Sequence, residues 1–364
     1  MEFMRDKAIG LLEVLTEAHG APGFEGEVRD IFADELADAG ELSTDGNGSV
    51  FCELDDVEGG PRVLLTGHMD EVAFRVQNIT PDGFIQFITL GGWWPHTLLA
   101  QRVEVRTKDG RKILGVVSST PPHFLPAAQR KQVLSIDQMF IDIGAKSRAD
   151  LEQNIGIRIG DPIVPLTPFS QMADPDLFMA KAFDNRVGMA CAIQATQRLK
   201  AEGHPNTLIV CGTVQEEVGC RGSITAAVQA NPDVVIVLEG TPADDTPGFS
   251  RASSQGVVGK GVQIRMQDPT AIMNPALVDL CVATAEEKGI AFQLALRATG
   301  GTDASKFHLS GRGVPTIVLG VPSRYIHSHN SMIDVRDYLT MVELSVALVK
   351  TLGQAEVESL IQYL

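Results

Sequence analysis

The sequence has no long uninterrupted apolar segment. Although 44% of its 364 residues are hydrophobic, no run reaches the roughly 18 apolar residues that a membrane-spanning helix requires. The first 20 residues mix charged and apolar residues at helical spacing, which predicts an amphipathic helix rather than a signal peptide. We therefore expect neither a membrane span nor a membrane partner.

Cysteine is scarce. The chain contains Cys52, Cys191, Cys211, Cys220 and Cys281, an odd number with no CxxC spacing. This pattern argues against a disulfide framework and against a cysteine-rich metal cluster. It predicts reduced thiols in a cytoplasmic protein, most of them serving as small core residues.

Basic residues are outnumbered by acidic ones. The chain has 30 Lys and Arg against 46 Asp and Glu, a formal net charge of −16. Proteins that bind nucleic acid usually present a basic face, so we expect no nucleic-acid partner. An acidic balance of this size favours solubility and attracts cations and cationic substrates.

Several apolar runs end in loops that carry acids or histidines. They are RVLLTGHMDE, TLIVCGTVQEE, VVIVLEGTPADD and PTIVLGVPSRYIHSH. Each predicts a buried strand, and helical patterns occupy residues 185–201, 222–230, 275–289 and 335–352. The alternation predicts an α/β fold with a mostly parallel core sheet and helices on both faces. Ligands of such sheets bind beyond the carboxyl ends of the strands, where these loops lie.

Residues 73–165 have a different pattern. Apolar and polar residues alternate there with period two between Asp-Gly and Gly-Gly turns, and little helix is indicated. This predicts a small β-rich domain inserted into a catalytic α/β domain that comprises residues 1–72 and 166–364. Insertions of this kind often form subunit contacts or cover a site, and we expect this one to serve in dimerisation.

The strand-end loops supply a set of candidate metal ligands. They are His68 and Asp70 of TGHMDE, Asp184 of KAFDNRVG, Glu216 and Glu217 of VQEEVGCRG, Glu239 of VLEGTP, and His327 of RYIHSHNS. Imidazoles and carboxylates without cysteine suit zinc, cobalt or manganese. The set exceeds the three or four ligands that one ion needs, so we expect two ions with Asp184 as a bridge.

Taken alone, each residue also has a structural interpretation. A single strand-end histidine is usually structural, Asp184 is suited to cap a helix, and Glu239 fits an exposed loop acid. The adjacent Glu216 and Glu217 fit a solvated turn, where repulsion costs little. The joint arrangement favours a metal centre, and Asp70 adds support because histidine ligands usually have a carboxylate partner that fixes the ring.

Eight segments together resemble the tetrahedral (TET-type) metallo-aminopeptidases. They are GHMDEVAF, GGWWP, GVVSSTPPHFL, FIDIGAKS, KAFDNRVG, QEEVGCRG, GGTDASKFHLSGRGVPT and SRYIHS. The resemblance runs in register from about residue 8 to residue 350. The family includes glutamyl and deblocking aminopeptidases and members named endoglucanases. It implies a dizinc aminopeptidase-type fold with an inserted β-domain, assembled as dimers and often as hollow dodecamers.

The resemblance also implies a role for each metal ligand. His68 and Glu239 would bind one metal, Glu217 and His327 would bind the second, and Asp184 would bridge the two. The family more often has aspartate at the position of Glu239. Glutamate is longer by one methylene and still reaches a metal. The choice between aspartate and glutamate at this position varies with substrate type among related two-metal peptidases.

The same resemblance implies that Asp70 orients His68 and that Glu216 is the general base. Glu216 would take a proton from an activated water and return it to the leaving amine. We expect the substrate to be a peptide that loses its N-terminal amino acid. The glycines of GGTDASKF (300–307) predict close backbone approach near the substrate pocket, where Asp303 fits a helix cap equally well.

Other functions fit parts of the pattern. A metal-dependent deacylase of N-acylated amino acids or peptides would use the same centre. A glycosidase needs two carboxyls about 5–9.5 Å apart and no metal, and adjacent glutamates are poorly placed for that. An assembly protein without catalysis would lack a ligand or the base, whereas here every position is filled. No GxSxG segment precedes a helix, which argues against a Ser/His/Asp hydrolase.

Overall fold

The structure is a computed structural model that describes residues 2–54 and 57–363. Its helices are α1 (Glu2–Glu17), α2 (Gly26–Glu35), α3 (Phe183–Glu202), α4 (Arg221–Ala230), α5 (Pro275–Lys288), α6 (Ala304–Phe307), α7 (Val335–Thr351) and α8 (Gln354–Ser359). Its strands are β1 (Glu41–Thr44), β2 (Val50–Glu53), β3 (Arg62–His68), β4 (Ala73–Ile79), β5 (Ile85–Leu90), β6 (Arg102–Arg106), β7 (Lys112–Ser118), β8 (Phe140–Asp142), β9 (Pro162–Pro165), β10 (Ser170–Gln171), β11 (Leu177–Ala180), β12 (Thr207–Thr213), β13 (Val234–Pro242), β14 (Val262–Asp268), β15 (Ala271–Ile272), β16 (Phe292–Leu296), β17 (Thr316–Ser323) and β18 (Ser331–Asp334).

A large mixed sheet forms the centre of the molecule. Its strand order is β1-β2-β12-β3-β13-β17-β14-β15, and β16 pairs with β14. The central strands β12, β3, β13 and β17 are parallel, whereas β2 and β14 flank them in antiparallel orientation. The central strands are buried along almost their whole length, as their continuous apolar runs predict. The predicted α/β fold with a mostly parallel core is therefore confirmed.

The helices cover this sheet in separate groups. Helices α1, α3 and α7 pack together, and α3 lies against β3 and β13. Helices α4 and α6 pack against each other, α4 against β12 and α6 against β13 and β17. Within residues 2–54 and 57–363, no helix has the length and apolar character needed to cross a membrane.

The register of the parallel strands brings the ends of several motifs to one edge. His68 at the end of β3 pairs with Thr213 at the end of β12, and Thr66 pairs with Val237 of β13. Glu216 follows β12 by three residues, and Glu239 lies two residues beyond Val237. Parallel pairing thus carries these side chains to the same carboxyl edge of the sheet as His68.

Strands β4–β9 form a closed barrel beside the sheet, in the order β4-β5-β8-β7-β6-β9. Alternate residues are buried at Phe74 and Val76 of β4 and at Ile85 and Phe87 of β5, as the period-two pattern predicts, and an irregular register after Val76 interrupts the alternation in β4. These residues contribute to a hydrophobic core distinct from that of the large sheet. The barrel begins at Ala73, soon after the His68 strand end. A small sheet, β10-β11-β18, lies outside both units.

Candidate metal centre

Asp184 lies between two histidines. Its Oδ1 is 3.2 Å from Nε2 of His68, and its Oδ2 is 3.3 Å from Nε2 of His327. Asp184 has φ −84° and ψ 102°, which is not a helical conformation, although it falls within the first turn of α3. Its side chain therefore faces the two imidazoles instead of capping the helix.

One group of ligand atoms forms around His68. Oε2 of Glu239 lies 3.6 Å from Nε2 of His68, and His68, Asp184 and Glu239 each bring one ligand atom within 4.8 Å of the other two. Glu239 is 3% exposed, so it is not a surface loop acid. The extra methylene of glutamate still brings this carboxylate to the histidine.

A second group forms around His327. Oε2 of Glu217 lies 3.4 Å from Nε2 of His327, and Asp184, Glu217 and His327 form another set with ligand atoms within 4.8 Å of one another. Nδ1 of His327 donates to the carbonyl oxygen of Gly92 at 3.0 Å, which leaves Nε2 free to act as a ligand. Gly92 follows strand β5, so the barrel supports this half of the centre.

Gly91 also belongs to this support. It has φ +85°, and a Cβ atom there would lie 2.8 Å from Cγ1 of Val72 and 3.2 Å from Oε2 of Glu217. Glycine is therefore favoured by the backbone conformation and by the close approach of both side chains. The turn of the barrel and the loop after β12 fit together at this point.

Asp70 connects the histidine to the two glutamates. Its backbone carbonyl oxygen accepts a hydrogen bond from Nδ1 of His68 at 3.0 Å, while its carboxylate Oδ1 is 3.5 Å from that nitrogen. The carboxylate accepts hydrogen bonds from the backbone amides of Glu216 at 2.9 Å and Glu217 at 3.0 Å. The backbone carbonyl of Asp70 thus makes the closer contact to the ring, and its carboxylate contacts both the ring and the glutamate loop.

Glu216 lies next to both groups. Its Oε2 is 3.8 Å from Nε2 of His68, and its Oε1 accepts a hydrogen bond from Sγ of Cys220 at 3.3 Å. Its side chain is 12% exposed, so it is reachable from the cavity but is not a solvated turn residue. The adjacent Glu217 places its Oε2 near His327, and both glutamates also form a further group of possible ligands with His68.

The electrostatics of the site require positive charge. Burial raises the pKa of Glu216 and Glu239 well above the ordinary range of glutamate, and it raises the pKa of Glu217 to about 8. Burial opposes charge on His327, but the carboxylates of Glu217 and Asp184 raise its pKa to about 10. Buried carboxylates at this density are stable only when protons or cations neutralise them.

The residues present fit divalent cations. Oε1 of Glu217 and Oε1 of Glu239 are buried and have no hydrogen-bond partner among the described residues. An unpaired buried carboxylate oxygen is costly, and coordination would satisfy both atoms. The set of imidazole and carboxylate donors suits zinc, cobalt or manganese.

A cavity of about 460 Å³ opens onto these ligands. The expected GGTDASKF segment contributes Gly300, Gly301 and Thr302 to its lining. Arg265 and Cys220, which the sequence analysis did not single out, line it as well. The other cysteines are buried, as predicted, and none of the five, all of which the structure describes, is in a disulfide.

Comparison with known proteins agrees with the resemblance found in the sequence. A family model described as M42 glutamyl aminopeptidase matches residues 48–344. The glutamyl aminopeptidase of Lactococcus lactis subsp. cremoris is 35% identical, over 97% of this chain and 98% of its own.

Two solved structures are also similar to this chain over nearly its whole length. The TET aminopeptidase of a marine sediment archaeon of the Thaumarchaeota superposes with a TM-score of 0.94 at 40% identity, covering 98% of this chain and 99% of that one. The TET1 peptidase of Pyrococcus horikoshii, which can assemble into a tetrahedron or a large octahedral shell, superposes with a TM-score of 0.83 at 30% identity, covering 94% and 99%.

Proposed function

This chain belongs to the M42 glutamyl aminopeptidase family and is a metal-dependent aminopeptidase, and we propose that it binds two divalent cations with Glu216 as its general base. One observation carries the proposal. The two carboxylate oxygens of Asp184 face two different histidines, each of which belongs to its own three-residue ligand group. A bridging carboxylate between two cations has this arrangement of donors.

The ligands divide between the two cations. His68 and Glu239 would hold one cation, Glu217 and His327 would hold the other, and Asp184 would contact both. When bound, the cations would lower the pKa of water and polarise a peptide carbonyl. Zinc suits these donors, and cobalt and manganese suit them too.

Glu216 would move the proton. Its Oε2 lies on the side of His68, where it can take a proton from the attacking water and return it to the amine that leaves when the peptide bond breaks. Burial raises the pKa of Glu216, and cations bound at the neighbouring ligand groups would oppose that rise, because positive charge favours the carboxylate form that a base needs. Asp70 would act as a positioning residue, because it holds the backbone of Glu216 and contacts His68.

The acidic cavity favours an aminopeptidase over a deacylase. A free α-amine is cationic near neutral pH, and the carboxylates around the proposed cations attract that charge. Comparing kcat/KM for a peptide and its N-acetylated form tests this choice. Preference for the free peptide supports the proposal, whereas preference for the blocked peptide would establish the deacylase. Chelation by EDTA should abolish either activity, and a glycosidase would not respond to it.

Arg265 supports a preference for acidic N-terminal residues. It is 3% exposed, it lines the cavity together with Thr299 and Thr302, and its buried Nε has no hydrogen-bond partner among the described residues. Its Nη1 is 3.5 Å from Oδ2 of Asp268, which is too long for a strong pair. The name of the Lactococcus relative is consistent with this preference.

A panel of chromogenic substrates with N-terminal Glu, Asp, Leu and Lys tests the specificity, with zinc, cobalt and manganese in parallel. We expect the highest kcat/KM with Glu or Asp. Arg265→Gln should lower kcat/KM for the Glu substrate more than for the Leu substrate, because guanidinium binds carboxylate through charge-assisted hydrogen bonds. A Lys preference, or equal losses on both substrates, would contradict this assignment.

We further propose that residues 73–165 form a dimerisation domain of a cytoplasmic homo-oligomer, with residues 1–72 and 166–364 as the catalytic domain. The barrel segment exposes the apolar side chains of Trp94, Leu114, Phe124 and Val133, and burying such side chains in a subunit contact would stabilise the assembly. The dodecamer of the similar PhTET1 structure supports a dodecamer here. Light scattering should give a mass of twelve times the 39.1 kDa of one chain, and a monomer mass would refute the oligomer.

A further inference from the structure

A separate cluster of ligand-type side chains adjoins Glu216 on the side away from His68. Glu216, Cys220 and Asp303 each bring one ligand atom within 4.8 Å of the other two. The Cys220 thiol donates to Oε1 of Glu216, whereas Oε2 of the same carboxylate faces His68. The two oxygens of the proposed base therefore belong to different surroundings.

Asp303 contributes an unsatisfied buried oxygen to this cluster. The residue is 1% exposed, and its Oδ2 accepts a hydrogen bond from the Thr213 hydroxyl at 2.5 Å. Its Oδ1 is buried and has no hydrogen bond of ordinary length among the described residues, and the nearby Ser223 hydroxyl opposes the rise that burial causes in the pKa of this carboxyl. Leaving such an atom without a partner is costly, and a cation bound beside it would remove that cost.

Cys220 is the cysteine that a ligand from solvent can reach. It is half-buried and lines the cavity, whereas Cys52, Cys191, Cys211 and Cys281 are buried. Burial raises the pKa of the Cys220 thiol, and the carboxylates of Glu216 and Asp303 raise it further. The thiol is thus a poor nucleophile. A cation that binds it must displace its proton to water, which favours ions with high affinity for thiolate.

We propose that Glu216, Cys220 and Asp303 form a third cation site, selective for thiophilic divalent ions such as zinc, and that its occupation inhibits the enzyme. A cation held by the Glu216 carboxylate prevents that group from accepting a proton. Zinc then supports activity when it fills the two-ion centre and inhibits activity in excess, whereas manganese in excess does not. The inhibitory part rests on the proposed role of Glu216, but cation binding at the cluster does not.

Cadmium binding to the metal-loaded full-length enzyme tests the site without reference to turnover. The two-ion centre contains no cysteine, so a thiolate-to-cadmium charge-transfer absorption band reports the Cys220 cluster. We expect the wild type to bind one more cadmium per chain than Cys220→Ser, with a band that this variant lacks. Cys281→Ser removes a buried thiol outside every candidate cluster, and this control should keep both the extra cadmium and the band.

Zinc inhibition tests the consequence. The concentration of excess zinc that halves activity should rise at least about tenfold in Cys220→Ser, as expected when a metal site loses a supporting group. The absence of both the band and the extra cadmium in the wild type would overturn the site, even if Cys220→Ser failed to fold. A band without any change in zinc inhibition would overturn the inhibitory role. Failure of Glu216 as general base would appear separately, as turnover that persists in Glu216→Gln.

Discussion

The carboxylate of Asp70 accepts a hydrogen bond of 2.9 Å from the backbone amide of Glu216. Its other oxygen accepts from the amide of Glu217 at 3.0 Å, and its carbonyl oxygen accepts from His68. One residue thus holds a proposed base and two proposed ligands that come from different strand ends. The geometry of the site should therefore depend on Asp70, although this residue belongs to neither of the two ligand groups built around Asp184.

Replacing Asp70 with Asn should lower kcat by about 10- to 100-fold, the range found when a supporting group of a metal site is lost. An amide has one acceptor oxygen, so its NH2 group would oppose one of the two backbone amides. Steady-state kinetics and metal analysis measure the effect. Asp45→Asn is the matched control. The Asp45 carboxylate also accepts hydrogen bonds from backbone amides, those of Asn47 and Gly48, but it does not line the cavity. Equal activity of the two variants would remove the positioning role from Asp70.

Replacing Glu216 with Gln should separate proton transfer from metal binding. We expect kcat to fall by about 10²- to 10⁴-fold, the usual contribution of a general base, because an amide cannot take a proton from water. Both cations should remain, since the two ligand groups built around Asp184 are complete without Glu216. Glutamine also keeps a side-chain oxygen in the further group of His68, Glu216 and Glu217. Turnover near the wild-type rate would show that another group is the base.

Replacing His327 with Ala should lower metal occupancy. The change removes the imidazole that faces both Asp184 and Glu217, so one of the two cations should be lost on dialysis while the His68 group keeps its ion. Elemental analysis per chain gives the result. His96→Ala provides the control, because His96 is exposed and belongs to no candidate cluster of the described residues. Full occupancy in the His327 variant would remove this residue from the ligand set.

A buried ion cluster beneath the site should be important for stability. Glu71 is 1% exposed and accepts hydrogen bonds from Nζ of Lys181 at 2.6 Å and from Nη2 of Arg186 at 3.0 Å. Glu71→Gln removes the carboxylate that these two buried cations share. We expect the free energy of unfolding to fall by about 3–5 kcal/mol, as for other buried pairs that lose one partner.

Urea denaturation measures this loss against a surface pair. Glu202 contacts Arg198 and Lys350 at 3.1 and 2.5 Å, and these partners are partly exposed. Glu202→Gln should therefore change the free energy of unfolding by less than about 1 kcal/mol, because solvent screens exposed pairs. Similar losses in the two variants would contradict the special importance of the buried cluster.

Much of the site could be predicted because parallel strands end at a common edge. His68, Glu216 and Glu239 each follow an apolar run, and the register of β3, β12 and β13 then brings them together. His327 follows the apolar run of β17, which is parallel to β13. Asp184 lies at the start of α3, where it could equally be a helix cap. The residue pattern suggested it as a bridge, and the family resemblance assigned each ligand to one of the two metals.

Other features depend on tertiary contacts that leave no local pattern. The hydrogen bonds that the Asp70 carboxylate accepts from the backbone amides of Glu216 and Glu217 join residues that are 146 and 147 positions apart in the sequence. Arg265 lies on β14, an antiparallel strand that carries no motif, yet its side chain reaches the cavity. The carbonyl of Gly92 supports His327 across 235 residues. Such contacts follow from how the barrel and the sheet meet, which composition and periodicity do not encode.

Anomalous diffraction from crystals of the zinc-loaded enzyme tests the two-cation centre most directly. We predict two strong peaks per chain on either side of the Asp184 carboxylate. One peak should contact His68 and Glu239, and the other should contact Glu217 and His327. A single peak, or peaks that do not share Asp184, would contradict the account.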